Sequence, residues 1–305
     1  MEAQMNEFGV EVWSGAAATW ECDRMGHLNV RFYVARCMEA LVGLAAELGM
    51  PRAFAPTAES TLVVREQHIR FLREARPGAL IHITGGVVEM GETDARLLLL
   101  MHHADGDLAA SFQTVVGHVT SRDLRAFPWP ERVRRRAADL ALAIPPKAEA
   151  RSLNLAPAAP AASLERAHAL GLLRIAQGAV SPQDCDAFGR MRPEIFIARI
   201  SDGVPRLPTR PAGGGAIGGA ALEYRLIHLG WPRAGDRVEL WSGLSAAETR
   251  TRQFIHWLID PHTGQPWAVA ENVAVSFDLE TRKLAPLSPP ELEQIRKYVV
   301  PGLTL

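Results

Sequence analysis

The sequence lacks the features that mark several special classes of protein. Its three cysteines in 305 residues form an odd, sparse set without a CxxC pair, so neither a disulfide framework nor cysteine-bound zinc is predicted. The formal net charge of -1 leaves no basic excess for nucleic acid. No apolar run approaches the roughly eighteen residues that would cross a membrane, and residues 1–13 do not resemble a secretory signal. These absences predict a soluble, cytoplasmic protein.

What the sequence does contain is material for a large core. Hydrophobic residues make up 48% of the chain and charged residues 22%, which is the profile of a globular protein. The length suits one large domain or two ordinary ones. The paired histidines His102 and His103 have no third ligand at a suitable spacing, so no metal site is predicted. A Gly-rich stretch at 211–220 lacks the ending of a phosphate-binding loop and is predicted to be a flexible loop.

The chain contains an internal repeat. Residues 178–203 match residues 15–40 at a shift of 163 positions, with seven identities in 26 pairs, where chance would give roughly one or two. Further matches follow in the same order at shifts of 157 and 160, as loops of different length would produce. The repeat predicts a first domain at 1–146 with a C-terminal helical extension, an Ala/Pro-rich semi-extended linker at 147–165, and a second, divergent domain at 166–305.

Each copy is predicted to combine one long helix with an antiparallel sheet. Apolar residues recur at three- and four-residue spacing between Val30 and Leu48, which predicts a helix whose buried face holds Val34, Cys37, Met38, Leu41, Leu44, Ala45 and Leu48. The predicted strands are Val10–Trp20, Leu62–Phe71, Leu80–Glu89, Arg96–His103 and Leu108–Thr120, with turns at 104–106 and, in the second copy, 260–265. Together they indicate an α+β fold, a curved sheet wrapped around a helix.

The segment Trp20–Val34 carries the most specific signal. It consists of W-E-C-D-R-M-G-H-L-N-V-R-F-Y-V and lies between the first predicted strand and the apolar helix. It resembles the hotdog-fold acyl-CoA thioesterases of the 4-hydroxybenzoyl-CoA thioesterase type, whose pattern at the turn into the central helix is D-x-x-G-H-x-N-x-x-x-Y. The resemblance implies a tandem double hotdog, whose two copies would pair as two subunits do in simpler members. The pattern is met here by Asp23, Gly26, His27, Asn29 and Tyr33.

The resemblance also implies an activity. In such enzymes the carboxylate at the position of Asp23 attacks the thioester carbonyl or activates a water to do so. The expected reaction converts an acyl-CoA, or an acyl-carrier-protein thioester, into a free acid and a thiol, with no metal and no cofactor because CoA is part of the substrate. N–H groups at the turn, those of Met25, Gly26 and His27, would polarise the carbonyl. His27 could also orient the thioester, and Asn29 could hold the turn or contact the ligand.

The second copy keeps the frame of the motif but changes its polar residues. The segment D-C-D-A-F-G-R-M-R-P-E-I-F retains Asp186 and Gly189, whereas Arg190 and Arg192 replace the histidine and asparagine of the first copy. Asp186 is therefore a candidate for a second catalytic carboxylate. The two arginines could hold a carboxylate in an ion pair or bind CoA phosphates.

The motif residues are also compatible with roles outside catalysis. Asp23 and Asn29 are common helix-capping residues, and His27 could be a solvated turn residue. Cys22 is not predicted to be a nucleophile, because neighbouring acids would raise the pKa of its thiol. A protein on the same fold could bind or sense acyl-CoA without hydrolysing it. The predicted partner is in either case a small-molecule acyl-CoA, with no nucleic acid and no membrane, and the double unit could form a homo-oligomer.

Overall fold

The computed structural model describes residues 8–208 and 217–305 and divides into two compact units. The first unit comprises Met1–Glu149 and Asp186–Gly189, and the second comprises Ala150–Cys185 and Arg190–Leu305. The short second-motif segment is thus grouped with the first unit, although the sequence assigns it to the second copy. Most of the Gly-rich stretch that was predicted as a loop lies outside the described residues, as do the first seven residues.

The first unit is an antiparallel sheet of five strands packed against one long helix. The helix α1 spans Val30–Glu47, in agreement with the prediction. The strands are β1 (Val10–Ala16), β2 (Ser60–Phe71), β3 (Leu80–Met90), β4 (Asp94–His103) and β5 (Leu108–Thr120), in the sheet order β1-β3-β4-β5-β2. A second helix, α2, follows at Glu131–Asp139.

One face of α1 packs on this sheet. Its buried residues are Tyr33, Val34, Cys37, Ala40, Leu41, Leu44 and Ala45. Gly85 in β3 makes room for the helix, because a Cβ there would lie only 3.3 Å from Leu44 Cδ2. Met38, which was predicted to be on the buried face, is only partly buried, and Ala40 lies in the core instead. The predicted amphipathic helix is therefore confirmed, with its buried stripe slightly rotated.

A run of four leucines, Leu97–Leu100, occupies β4 because both faces of this strand are covered. Leu99 lies on the α1 side, next to Gly85. Leu98 and Leu100 lie on the other side and pack with apolar residues after α2, including Ala148. A strand that is buried on both faces has a continuous apolar run rather than an alternating pattern.

The second unit repeats the arrangement with a shorter helix. Its strands are β6 (Leu173–Ala179), β7 (Ile217–His228), β8 (Arg237–Ala247), β9 (Arg252–Ile259) and β10 (Pro266–Asp278), in the sheet order β6-β8-β9-β10-β7. Its main helix, α4 (Pro193–Gly203), has 11 residues where α1 has 18. Helix α3 (Leu164–Ala169) precedes β6, and α5 (Pro289–Arg296) follows β10. Within the described residues, no helix is long and apolar enough to span a membrane.

The predicted first strand is too long. It ends at Ala16 rather than Trp20, because the chain leaves the sheet and forms a 3₁₀ turn at Thr19–Glu21. This turn places the Trp20 side chain in solvent, 83% exposed. The other four predicted strands of this unit agree with the observed ones to within two residues at each end.

The Ala/Pro-rich stretch between the copies is anchored rather than free. In the first unit, Arg70 Nη1 donates to the carbonyl of Lys147 at 2.9 Å. In the second unit, the buried carboxylate of Glu223 accepts the N–H groups of Arg151 and Ser152 at 3.0 and 2.9 Å. Side chains of the strands therefore hold the backbone of this stretch, and α3 begins at its end.

Candidate active site

The predicted site residues of the first copy lie in one turn that leads into α1. Asp23 Oδ1 accepts the N–H of Met25 at 2.8 Å, and the Asp23 carbonyl accepts the N–H of Gly26 at 3.0 Å. The turn closes where the Asp23 N–H donates to the carbonyl of His27 at 3.0 Å. Gly26 has a φ of +75°, in the left-handed region that glycine adopts without strain. The turn therefore requires glycine for its backbone conformation.

Asn29 is the N-cap of α1. Its Oδ1 accepts the N–H of Arg31 at 3.0 Å, and its own N–H donates to the carbonyl of Glu21 at 2.9 Å. Such a cap satisfies one of the N–H groups that the first turn of a helix leaves without an intrahelical acceptor. Of the two roles expected for Asn29, holding the turn is the one that these contacts show.

Asp23 and His27 face each other across the turn. Asp23 Oδ2 lies 3.6 Å from His27 Nδ1, and the same ring nitrogen lies 3.4 Å from the carbonyl oxygen of Leu28. The side chains of Asp23 and His27 are 19% and 12% exposed, so both reach solvent. A carboxylate with one oxygen fixed by an N–H and the other beside an imidazole can take a proton from water or attack a carbonyl.

The structure adds Glu74 to this site. Glu74 lies in the connection between β2 and β3, and its Oε1 is 4.0 Å from His27 Nε2. Next to it, the N–H of Ala75 donates to the Tyr33 hydroxyl at 2.9 Å. Burial raises the pKa of Tyr33 to about 12, so the hydroxyl stays protonated at neutral pH. No motif in the sequence points to Glu74; the available signal is the repeat, in which Trp231 takes its position.

A network of ionic and polar contacts beneath the turn joins it to α1. The buried carboxylate of Glu21 pairs with Arg36 and accepts the N–H of Ala18 at 3.1 Å. Arg36 also binds Glu39 at 2.7 Å, and Glu39 accepts the indole N–H of Trp13 at 2.6 Å. These contacts fix the 3₁₀ turn and β1 onto the helix that carries the site.

Cys22 does not supply a nucleophile. Burial, and then the charges of Asp23 and Glu21, raise the pKa of its thiol. The thiol donates to the carbonyl of Ala18 at 3.5 Å. Since only the thiolate is strongly nucleophilic, a raised pKa disfavours Cys22 as a nucleophile.

The second motif forms the same backbone turn with different side-chain chemistry. Asp186 Oδ1 accepts the N–H of Phe188 at 2.8 Å, and Gly189 has a φ of +77°. Its backbone thus matches that of the first turn, including the left-handed glycine. The aspartate position is therefore preserved in both motifs.

The two arginines of the second motif are engaged within the fold. Arg192 forms an ion pair with the buried Glu194 at 3.0 Å and donates to the carbonyl of Gln183 at 3.1 Å. Arg190 is only 3% exposed and forms a β-bridge with Arg233. A guanidinium with so little exposure is not presented to a phosphate arriving from solvent. Of the roles expected for this pair, ion pairing is found for Arg192, with Glu194 as its partner.

The motif turn is accessible from solvent at the side chains of Asp23 and His27. Two cavities of about 660 and 410 Å³ lie elsewhere, one beside Trp241 in the second unit and the other beside Arg132 in the first. None of the first-motif residues lines either cavity. Across residues 8–208 and 217–305, no three His, Cys, Asp or Glu side chains are grouped as metal ligands.

The fold and the turn define a class of protein. The thioesterase-like superfamily matches the chain at residues 17–137 and 180–295, which include both motif turns. The chain belongs to this superfamily. The predicted tandem double-hotdog fold is therefore confirmed, and so is the prediction of a thioesterase-like protein; the 4-hydroxybenzoyl-CoA type stays a prediction.

Solved structures with the same architecture extend over both units. A putative oleoyl thioesterase from Lactobacillus plantarum has a TM-score of 0.67 at 12% identity, covering 88% of this chain and 96% of that one. An acyl-ACP thioesterase from Bacteroides thetaiotaomicron VPI-5482 has a TM-score of 0.64 at 12% identity, with coverage of 86% and 96%. The 12:0-ACP thioesterase from Umbellularia californica has a TM-score of 0.63 at 13% identity, with coverage of 87% and 93%. At these identities the similarity establishes the fold. No curated protein sequence matches the chain significantly.

Proposed function

We propose that this protein hydrolyses an acyl thioester to a free acid and a thiol, with Asp23 as general base or nucleophile. The observation that carries the proposal is the Asp23 carboxylate at the entrance to α1, with Oδ1 held by the Met25 N–H and Oδ2 3.6 Å from His27. Membership of the thioesterase-like superfamily supports the class of reaction. A fixed, solvent-reaching carboxylate is the group that this reaction needs.

As general base, Asp23 takes a proton from water while the water oxygen bonds to the thioester carbon. The tetrahedral intermediate then breaks its carbon–sulfur bond, and the departing thiolate takes up a proton. A thiol with a pKa of about 8.5 is a good leaving group, so little acid assistance is required. As nucleophile, Asp23 would instead attack the carbonyl carbon and expel the thiolate, and water would then hydrolyse the resulting anhydride to the free acid and the Asp23 carboxylate. In either case His27 would orient the thioester.

We propose that the start of α1 polarises the carbonyl, because the Met25 and Gly26 N–H groups of the turn already donate to Asp23. Asn29 accepts the N–H groups of Arg31 and Phe32, at 3.0 and 2.9 Å. Among the described residues, the Val30 N–H has no hydrogen-bond acceptor. This N–H and the positive end of the helix dipole would stabilise the developing oxyanion.

The thiol carrier in this proposal is CoA or an acyl-carrier protein. The motif's resemblance to the 4-hydroxybenzoyl-CoA thioesterase type supports CoA, whereas the names of two similar structures, both ACP thioesterases, support a carrier protein. We further propose that no cofactor is required, that the protein acts in the cytoplasm, and that the double unit could assemble into a homo-oligomer.

Thiol release from a panel of thioesters tests the proposal. The panel contains short, long and aromatic acyl-CoAs together with acyl-carrier-protein esters. The change Asp23→Asn should lower kcat by about a hundredfold or more, because an amide cannot take the proton. The matched control is Asp186→Asn, which alters the same backbone turn in the second motif and should leave most of the activity. Full activity in Asp23→Asn would refute the mechanism, and equal losses in both variants would refute the assignment to the first motif.

The alternative function is binding of an acyl-CoA without hydrolysis. It would be supported by saturable binding of the esters with no thiol released from any of them. The presence of Asp23 argues against binding without hydrolysis, because its negative charge would repel an anionic CoA ester and a binding protein does not need a carboxylate at this position.

A further inference from the structure

The His27 ring lies between two carboxylates. Asp23 Oδ2 is 3.6 Å from Nδ1 on one side of the ring, and Glu74 Oε1 is 4.0 Å from Nε2 on the other. Both separations are within the range at which a ring N–H and a carboxylate attract each other. The ring orientation that turns Nδ1 toward Asp23 is therefore also the one that turns Nε2 toward Glu74.

Both backbone groups of Ala75, the residue that follows Glu74, form hydrogen bonds to residues next to the site. The Ala75 carbonyl accepts the N–H of Leu28, which follows His27, at 2.8 Å. The Ala75 N–H donates to the Tyr33 hydroxyl on the first turn of α1 at 2.9 Å. Tyr33 is itself buried and packs edge-on against Phe71 at the end of β2. Glu74 is therefore held by its neighbours at a fixed distance from the motif turn.

The second unit shows which of these contacts the fold keeps and which it can lose. The backbone contact is kept, since the N–H of Met191 donates to the carbonyl of Pro232 at 2.8 Å, as Leu28 does to Ala75. The hydroxyl and the N–H are lost together, because Phe196 replaces Tyr33 and Pro232 replaces Ala75.

The ionisable groups of the first unit are replaced at the same time. Arg190 takes the position of His27, and Trp231 takes the position of Glu74 and stacks on His228, with ring centroids 4.6 Å apart. The backbone turn around Asp186 forms nevertheless. Folding of the turn thus needs neither the tyrosine nor the glutamate, so their presence in the first unit calls for a chemical explanation.

We propose that Glu74 is a positioning residue for thioester hydrolysis, which holds the His27 ring so that Nδ1 stays beside Asp23, with the Tyr33 hydroxyl fixing the segment that carries Glu74. This inference rests on the proposed function and deepens it. Glu74 touches neither substrate nor water in this role, because it acts through His27.

Steady-state kinetics of Glu74→Gln test this role. The substitution keeps the size of the side chain but removes its charge, so kcat should fall by about tenfold to a hundredfold as the ring loses its orientation. KM should stay within about twofold, since Glu74 does not contact the substrate. Glu59→Gln is the matched control, because Glu59 is an exposed carboxylate of the same unit immediately before β2; it should retain full activity.

A double-mutant cycle with His27→Ala separates positioning from a general structural effect. If Glu74 acts through His27, adding Glu74→Gln to His27→Ala should cause no further loss of kcat. Losses that simply multiply would overturn the inference. Glu74→Asp should recover part of the activity lost in Glu74→Gln, and it also decides the question if the glutamine variant does not fold.

The outcomes distinguish this inference from the function on which it rests. Wild-type turnover that collapses in Asp23→Asn but is unchanged in Glu74→Gln would overturn the role of Glu74 and leave the thioesterase standing. A wild-type protein that releases thiol from none of the esters would overturn both.

Discussion

At the scale of the residue, two histidines of the second unit are buried as neutral rings. His228 packs against Phe196 and Trp231, with ring centroids 4.6 Å from each. His256 lies beside Ser242, with Nδ1 and the hydroxyl oxygen 2.7 Å apart. Burial lowers the pKa of His228 to about 3 and that of His256 to about 4. Both therefore resist protonation at a pH where a histidine in the unfolded chain, with a pKa of about 6.5, is already charged.

This difference predicts a loss of stability in mild acid. Between pH 6.5 and pH 4 the unfolded chain binds protons at His228 and His256 that the folded chain does not, so the free energy of unfolding falls as the pH falls. From pH 7 to pH 5 each histidine should contribute a loss of about 2 kcal/mol, and the pH dependence from both should level off above about pH 8. Urea unfolding at both pH values measures the effect.

The variant His228→Phe introduces the residue type that the first unit has at the equivalent position, Phe71. It should remove the part of the pH dependence of stability that His228 contributes. His262→Gln is the control, because His262 is exposed and its substitution should leave the pH dependence unchanged. An unchanged pH dependence in His228→Phe would contradict the assignment.

At the scale of the element, one hydrogen bond joins α1 to the connection that follows β2. Tyr33→Phe would remove the acceptor of the buried Ala75 N–H. Leaving such a group without a partner should cost about 1–3 kcal/mol in the free energy of unfolding. Because the same bond holds the segment of Glu74, kcat should fall as well. Denaturant unfolding measures the effect on stability, and thiol release measures the effect on kcat. A variant as stable and active as the wild type would show that the bond neither stabilises the fold nor supports catalysis.

In the second unit, Glu223 holds the beginning of the stretch between the two copies, and Arg225 holds the residues that follow through the carbonyls of Asn154 and Ala156. Glu223→Ala would release the N–H groups of Arg151 and Ser152, which Glu223 now accepts. Faster amide exchange and faster proteolytic cleavage near these residues are expected, because local opening no longer breaks these bonds. Glu165→Ala, at a site further along the same stretch, is the comparison; equal cleavage in both variants would argue against an anchoring role for Glu223.

At the scale of the whole molecule, the sequence alone was enough to predict the features that depend on a local pattern of residues. The period of the apolar residues located α1, and the turn at 260–265 separates β9 from β10 as expected. The end of β1 was missed because no glycine, proline, asparagine or aspartate stands between Ala16 and Trp20 to mark the point where the chain leaves the sheet. Glu74 was missed because its approach to His27 depends on how a distant connection folds back onto the turn.

The chemistry of the two turns predicts one active site per chain. The second motif lacks the imidazole, and its Arg192 is already paired with Glu194. A non-hydrolysable thioether analogue of the best acyl-CoA should therefore bind with a stoichiometry of one per chain in titration calorimetry. The double substitution Arg190→Gln and Arg192→Gln should leave this stoichiometry unchanged, and two equivalent sites per chain would contradict the prediction.

The paired exchange of a tyrosine and an alanine for Phe196 and Pro232 restricts how the two units can evolve. Phe196→Tyr alone would bury a hydroxyl opposite a proline, which has no N–H to donate. Pro232→Ala alone would add a backbone N–H at a buried position without the tyrosine hydroxyl that accepts the equivalent N–H in the first unit. Each single step costs about 1–3 kcal/mol, although both together would restore a hydrogen bond. The specialisation of the two halves is thus protected by epistasis: a lineage that has diverged in this way has no neutral single-step route back.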